Sequence, residues 1–176
     1  MYEILEAKEL AGSIYKFVVK APRCAASCEP GQFVIVRTLA DSERVPLTVC
    51  DYDREAGTVT IVVQVIGAST YVMKELKAGD YFHDFVGPLG RPSEFLEEDI
   101  NTLKEKKILF VAGGLGTAPV YPQVKWLHER GVAVDVIVGA KTSDLVIYKE
   151  EMEAVCDNLY LCTDDGSAGF KGLVTA

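Results

Sequence analysis

The chain has 176 residues, 49% of them hydrophobic, with 26 acidic against 18 basic side chains and a net charge of −8. That apolar content excludes a disordered chain, and a length of this order buries one or two cores. The acidic balance repels phosphate backbones and argues against non-specific nucleic-acid binding, and no apolar run of about 18 residues offers a membrane span.

The start, Met1-Tyr2-Glu3, lacks the basic segment and apolar stretch of a secretory signal. Five cysteines, Cys24, Cys28, Cys50, Cys156 and Cys162, match no zinc spacing, and an odd count argues against a disulfide scaffold. They read as free thiols of a reducing cytoplasm, with Cys24 and Cys28 in a loop and no metal site.

Through residue 99 the chain reads as short strands joined by turns. Ile14–Lys20 alternates Tyr15, Phe17 and Val19 with lysines; Gln32–Thr38 follows the Pro30-Gly31 turn; Leu47–Cys50 is short. Thr58–Ile66 is β-branched almost throughout, which suits a strand buried on both faces, and Tyr81–Val86 follows Gly79-Asp80. One helix, Ser69–Lys77, starts with Ser69 as its N-cap. Strands of this length and spacing predict a small antiparallel barrel or sandwich.

Residues 100–107 are charged and read as a linker. From 108 to 176 the pattern becomes α/β. Ile108–Ala112 is a compact apolar strand, Pro119–Arg130 a helix, Val132–Val138 a strand, Leu145–Cys156 a helix capped by Asp144, and Leu159–Cys162 a strand. Strand–helix–strand order predicts a parallel, Rossmann-like sheet with right-handed crossovers. Three strands before the end, against about five in such sheets, predict an incomplete domain and a chain truncated relative to a complete protein.

Four segments carry candidate chemistry. Gly113-Gly114-Leu115-Gly116-Thr117 joins the first parallel strand to its helix. Glycines there let backbone approach a pyrophosphate, and free N–H groups at the helix start suit an anion; a tight turn without ligand is the other reading. Thr163-Asp164-Asp165-Gly166-Ser167 follows the third strand, on the edge where open parallel sheets bind ligands, and equally reads as an Asp-rich turn. Arg44-Val45-Pro46-Leu47-Thr48 combines a phosphate-pairing guanidinium, an apolar surface and a hydroxyl, and alone reads as a loop with a surface arginine. Gly67-Ala68-Ser69-Thr70 opens the barrel-half helix as an anion site or as simple capping. No Ser/His/Asp set, zinc motif or carboxylate pair stands out, and His83 and His128 read as structural or solvated; this fits a protein whose cofactor carries the chemistry.

In this order, with Asp51-Tyr52-Asp53 and Gly87-Pro88-Leu89-Gly90, these motifs resemble the ferredoxin-NADP reductase superfamily. The resemblance is to its branch of sulfide dehydrogenase and dihydroorotate dehydrogenase electron-transfer subunits, which includes the small subunit of NADH-dependent reduced ferredoxin:NADP oxidoreductase. It covers essentially the whole chain and implies a six-stranded antiparallel barrel holding FAD. Arg44 would bind the diphosphate, Pro46, Leu47 and Thr48 would border the isoalloxazine with Thr48 at its reactive edge, and Gly67, Ser69 and Thr70 would complete the site. Gly114, Gly116 and Thr117 would cradle the NAD(P)H pyrophosphate, and Asp164, Asp165 and Gly166 would contact the nucleotide. The implied role is an FAD-dependent oxidoreductase subunit passing electrons between NAD(P)H and an iron-sulfur partner, a larger subunit of the same complex. The alternative is a flavin-binding or subunit-docking module without turnover. The branch's [2Fe-2S] cysteine cluster is absent from this chain. Lys141, after the second parallel strand, would meet a 2′-phosphate as a point charge, but no arginine clamp is present, which tilts the expectation toward NADH.

Overall fold

The structure, a computed structural model, describes residues 1–175 and divides into two compact units, residues 1–92 and the chain from Ser93 onward. The first unit contains β1 (Tyr2–Ala11), β2 (Ile14–Lys20), α1 (Pro22–Ser27), β3 (Phe33–Arg37), β4 (Val45–Asp53), β5 (Thr58–Gln64), α2 (Ala68–Lys74), β6 (Tyr81–Phe82) and β7 (Asp84–Leu89). All pairings are antiparallel, in the order β6-β1-β2-β5-β4-β3-β7. β6 and β7 are successive stretches of one segment interrupted at His83. The first pairs with β1 (Tyr2 opposite Phe82) and the second with β3 (Val36 opposite Phe85), so one segment joins both edges and nearly closes a barrel. Counted as one strand, it gives the six expected; counted as two, seven.

Alternation puts Phe17 and Val19, Val34 and Val36, and Val59, Ile61 and Val63 into one core with Ile4, Met73, Phe82 and Phe85. Phe17 meets Phe82 edge-on at 5.7 Å between ring centroids. Residues 59 to 63 are all buried, as expected for a strand covered on both faces. Two elements went unread in the sequence. β1, Tyr-Glu-Ile-Leu-Glu-Ala-Lys-Glu-Leu-Ala, is rich in helix formers, and its pairing along β2 overrides that preference. α1 starts with Pro22 in its first turn and buries Ala25 and Cys24 in the barrel core. Cys24 and Cys28 therefore lie in and at the end of a helix, not in a loop. α2 starts one residue earlier than expected. Gly67 is its N-cap, and Thr70 Oγ1 accepts the Gly67 N–H at 3.0 Å while Ser69 turns elsewhere.

The second unit contains α3 (Ile100–Glu105), β8 (Ile108–Gly113), α4 (Thr117–His128), β9 (Val134–Ala140), α5 (Lys149–Glu153), β10 (Asn158–Thr163) and β11 (Phe170–Lys171). The stretch expected as a linker thus carries a helix. The Asp99 side chain caps α3 by accepting from Asn101 N and Thr102 N, and Leu103 is buried in the second core. α5 is shorter than expected: Val146 and Ile147 precede a left-handed Tyr148, whose ring packs on Tyr121 at 5.3 Å, and helix begins only at Lys149. Asp144 does not cap it.

The four strands are parallel in the order β11-β10-β9-β8, the fourth, β11, adding one short strand beyond the three expected. Because the strands follow chain order, crossovers of one hand bring their helices to one face. Leu103, Val124, Leu127 and Met152 accordingly pack on Val134, Val136 and Val138. The opposite face presents Leu109, Val111 and Tyr160 to solvent.

Candidate functional site

In the barrel unit, strand alternation sorts the Arg44–Thr48 motif. Pro46 and Thr48 lie exposed on one face of β4, opposite Ile35 and Phe33 of β3. Leu47 faces the other way and packs against the barrel core. Arg44, just before β4, keeps a 60% exposed side chain, with Nη2 3.3 Å from Asp84 Oδ2. The start of α2 comes to the same place, because Ser69 Oγ donates to Glu43 Oε2 at 2.6 Å. The Thr70 hydroxyl is committed to the helix start, accepting from Ile66 N and Gly67 N and donating to Gly67 O. Gly67 faces open space: a Cβ there would meet nothing within 4 Å.

The sequence did not announce the charged group beneath Arg44. Asp84 is gripped by Arg37 Nε at 2.8 Å and lies 3.0 Å from His83 Nδ1, which is itself 3.2 Å from Arg37 Nη2. The hydrogen bond from His83, helped by Arg37, holds the Asp84 carboxyl below the usual carboxylate range. Pairing of β3 with β7 sets Arg37 opposite Asp84, a juxtaposition that local spacing does not reveal.

In the second unit, parallel register brings the carboxyl ends of three strands to one edge: Gly113 lies opposite Gly139, and Ala140 opposite Thr163. Gly114, Gly116 and Thr117 therefore share an edge with Asp164, Asp165 and Gly166. Gly114 adopts φ +53°, a left-handed turn that only glycine takes cheaply, and added Cβ atoms at Gly114 or Gly116 would meet nothing. Thr117, first residue of the 12-residue α4, is 0% exposed, and its Oγ1 has no hydrogen-bond partner. A buried hydroxyl left unpaired costs about 1–3 kcal/mol, so its presence at an anion-favouring helix start needs a reason. Across the edge, Asp165 accepts from Ser167 N at 2.9 Å and Ser167 Oγ at 2.6 Å, which holds its carboxyl below the usual range. Ser167 Oγ in turn accepts from Ser143 N at 2.8 Å, tying this turn to the loop after β9 that contains Lys141.

No protein-family model matches the chain. It is 55% identical over 172 residues to an uncharacterized protein in the adh 3′ region of Clostridium beijerinckii, covering 98% of this chain and 58% of that protein. It is 41% identical over 173 residues to the dihydroorotate dehydrogenase B (NAD(+)), electron transfer subunit homolog of Thermotoga maritima, again covering 98% and 58%. A chain of the solved NADH-dependent reduced ferredoxin-NADP oxidoreductase, studied for flavin-based electron bifurcation, superposes with a TM-score of 0.89 at 37% identity, covering 99% of this chain and 60% of that one. The chain has the ferredoxin-reductase fold: a ferredoxin-NADP+ reductase of Plasmodium falciparum also superposes on it, with a TM-score of 0.71 at 14% identity, covering 91% of this chain and 67% of that one. Its named relatives include electron-transfer subunits of oxidoreductases, and the chain spans about three fifths of the length of the proteins it matches here.

Each unit presents open glycine backbone beside polar side chains, the kind of surface that a phosphate-bearing ligand uses. The barrel unit offers an exposed guanidinium, an open glycine at Gly67 and an exposed Pro46/Thr48 face. The sheet unit offers an open glycine loop over an unpartnered buried hydroxyl. Among the described residues, no three His, Cys, Asp or Glu side chains gather as a metal site, and no helix is long and apolar enough to cross a membrane.

Proposed function

We propose that the chain is the flavin-binding barrel and the first part of the nucleotide-binding half of an NAD(P)H-dependent electron-transfer subunit. The observation that carries the reading is the buried, unpartnered Thr117 hydroxyl beneath the Gly114–Gly116 loop. The first-turn N–H groups of α4 would meet a nucleotide pyrophosphate at the open glycine loop, and a shift of that loop on binding would bring the Thr117 hydroxyl the partner it lacks. In the barrel, Arg44 exchanges part of its pairing with Asp84 for the FAD diphosphate, while Arg37 and His83 keep Asp84 ionised and in place. Pro46 gives a flat apolar surface and Thr48 a hydroxyl on the same face of β4, for the isoalloxazine. Leu47 supports this strand from inside. Asp164 and Gly166 contact the nucleotide beyond β10, with Asp165 fixing the turn through Ser167.

When bound, NAD(P)H and FAD supply hydride transfer between nicotinamide and isoalloxazine. The protein contributes binding, orientation and fixed charge. An iron-sulfur centre in a larger partner subunit of a cytoplasmic complex would accept the electrons, and a reducing cytoplasm suits five free thiols. NADH is the expected reductant. The deciding experiment is the visible absorption spectrum before and after anaerobic NADH. Flavin bands that bleach are expected. A colourless protein that also fails to take up added FAD would overturn the proposal.

A further inference from the structure

The barrel unit holds a pair of thiols that the proposed electron transfer does not use. Cys24 and Cys28 lie one helical turn apart, with Sγ atoms 3.7 Å from each other. Both are buried, Cys24 at 5% and Cys28 at 0% exposure. The other sulfurs with a close polar neighbour meet backbone: Cys50 donates to Thr48 O and Cys162 to Val138 O. Burial pushes the Cys50 thiol up to about 12, so it stays protonated and inert.

We propose that Cys24 and Cys28 form a redox-active dithiol, closed to an intrachain disulfide by a low-molecular-weight disulfide that enters beside Cys24.

The two thiols have different surroundings. A cavity of about 250 Å³ is lined by Cys24 together with Tyr2, Pro22, Arg23, Phe85 and Gly87, whereas Cys28 is not in its wall. Cys24 is thus the cysteine of the pair that borders the cavity, and exposed Arg23 at the lining favours an oxidant bearing carboxylates. The contact between the sulfurs sharpens the difference. With Cys28 donating its S–H, Cys24 is held below the ordinary thiol range; that same hydrogen bond and burial push Cys28 up. A thiol of lowered pKa at a cavity wall, beside a resolving thiol, is the arrangement that thiol–disulfide exchange needs once an oxidant enters the cavity.

The steps balance. The Cys24 thiol gives its proton to solvent, and the resulting thiolate attacks one sulfur of the small disulfide RSSR, forms a mixed disulfide and releases RS⁻. Cys28, giving its proton to RS⁻, attacks Cys24 Sγ, and the second RS⁻ leaves and takes a proton from solvent. The protein loses two electrons and two protons, and RSSR becomes two RSH.

Closure also has a structural consequence. A disulfide needs sulfurs about 2.05 Å apart and β-carbons about 3.5–4.5 Å apart, closer than residues four apart on a helix normally stand. The last turn of α1 must therefore open. It is held by the Cys28 N–H to Cys24 O bond of 2.9 Å, and Cys28, as the C-cap, already has extended backbone (ψ 139°). The Cys28 carbonyl accepts from Arg54 Nη2 at 2.8 Å, and Arg54 also pairs with Glu29, so oxidation loosens the clamp between α1 and the turn after β4.

The test uses the intact chain. It is incubated with oxidised glutathione, denatured in N-ethylmaleimide to cap every remaining thiol, and digested with trypsin. Cleavage after Arg23 and Arg37 isolates both cysteines, and no other, in the peptide 24–37. The expected result is that peptide lighter by two hydrogens and unlabelled, with Cys50, Cys156 and Cys162 labelled, and full labelling after dithiothreitol. Cys28→Ser is expected to stop at a glutathione adduct on Cys24. Two labels on the wild-type peptide, or a lasting wild-type glutathione adduct, would overturn the proposal. So would a Cys24→Ser variant that forms a Cys28 adduct at the wild-type rate of peptide oxidation.

Discussion

The two units solve the same problem, where to put an apolar face, in opposite ways. The barrel wraps its sheet so that the inner faces of the strands meet one another, and a single segment, Tyr81–Leu89, serves both edges. The parallel sheet cannot do this. Its strands follow chain order, its helices gather on one face, and Leu109, Val111 and Tyr160 stand exposed on the other. The first unit is therefore self-covering, while the second is stabilised from one side only. Candidate chemistry follows the same division. The barrel offers an exposed guanidinium and the outer face of β4, whereas the sheet offers a glycine loop and a helix start at its carboxyl edge.

Phe17→Ala tests this contrast most severely. Phe17 is fully buried at the barrel centre against Phe82, and its loss is expected to cost about 3–5 kcal/mol, read by urea unfolding. An effect below about 1 kcal/mol would mean that the barrel core is not the main store of stability in that unit. Arg44→Ala comes next. Removing one charge-assisted contact is expected to weaken FAD binding by about 1.5–3 kcal/mol. Undiminished FAD retention through gel filtration would remove Arg44 as an anchor.

Thr117→Val probes the sheet edge with two readouts of opposite sign. It deletes an unpartnered buried hydroxyl at nearly constant shape, so the nucleotide-free protein is expected to gain roughly 1 kcal/mol while affinity for NADH falls. Loss of stability without loss of affinity would show that the hydroxyl serves the fold. A smaller effect concerns acid. The Asp84 carboxyl titrates lower in the folded chain than its ordinary value near 3.9, so its contribution is present above that value and lost as pH falls through the lower folded one. Asp84→Asn is expected to lower stability modestly above about pH 4, with the difference from wild type vanishing as pH falls, so that the acid limb flattens; an unchanged profile at neutral and acid pH would show that the Arg37–His83–Asp84 group adds nothing. The smallest change is expected at the bare sheet face. Leu109→Thr should shift stability by no more than about 0.5 kcal/mol, and a loss comparable to Phe17→Ala would mean that this face is covered in solution.

How far the sequence could be read also divides along this line. Three strands of the second unit, β8, β9 and β10, were legible because each is a compact apolar run ended by glycine or aspartate, with the glycine loop where a parallel sheet puts its ligand edge, whereas the two-residue β11 carries no such pattern. β1 was not, because Glu, Leu, Lys and Ala favour helix locally and only pairing with β2 decides otherwise. The Arg44 motif was visible as a string, but not Asp84 beneath it, since β3–β7 pairing joins residues more than 40 apart. The Cys24–Cys28 contact was equally hidden: spacing of four means proximity only once Pro22 is known to start a helix.

The closing segment has one more consequence, for how the chain is made. Tyr2 pairs with Phe82, so the first strand waits for the last before the barrel can shut. At roughly 5–20 residues per second of synthesis, that wait is on the order of 4–16 s, during which the early β1–β2 hairpin presents an open edge to its neighbours on the ribosome. Glu3, Glu6 and Glu9 stud that strand and oppose edge-to-edge pairing with a second nascent chain. The acidic residues that lend β1 a helical composition are thus of the kind that protects an edge strand, and in the finished barrel Glu6 and Glu9 pair with Lys16 and Tyr15 of β2.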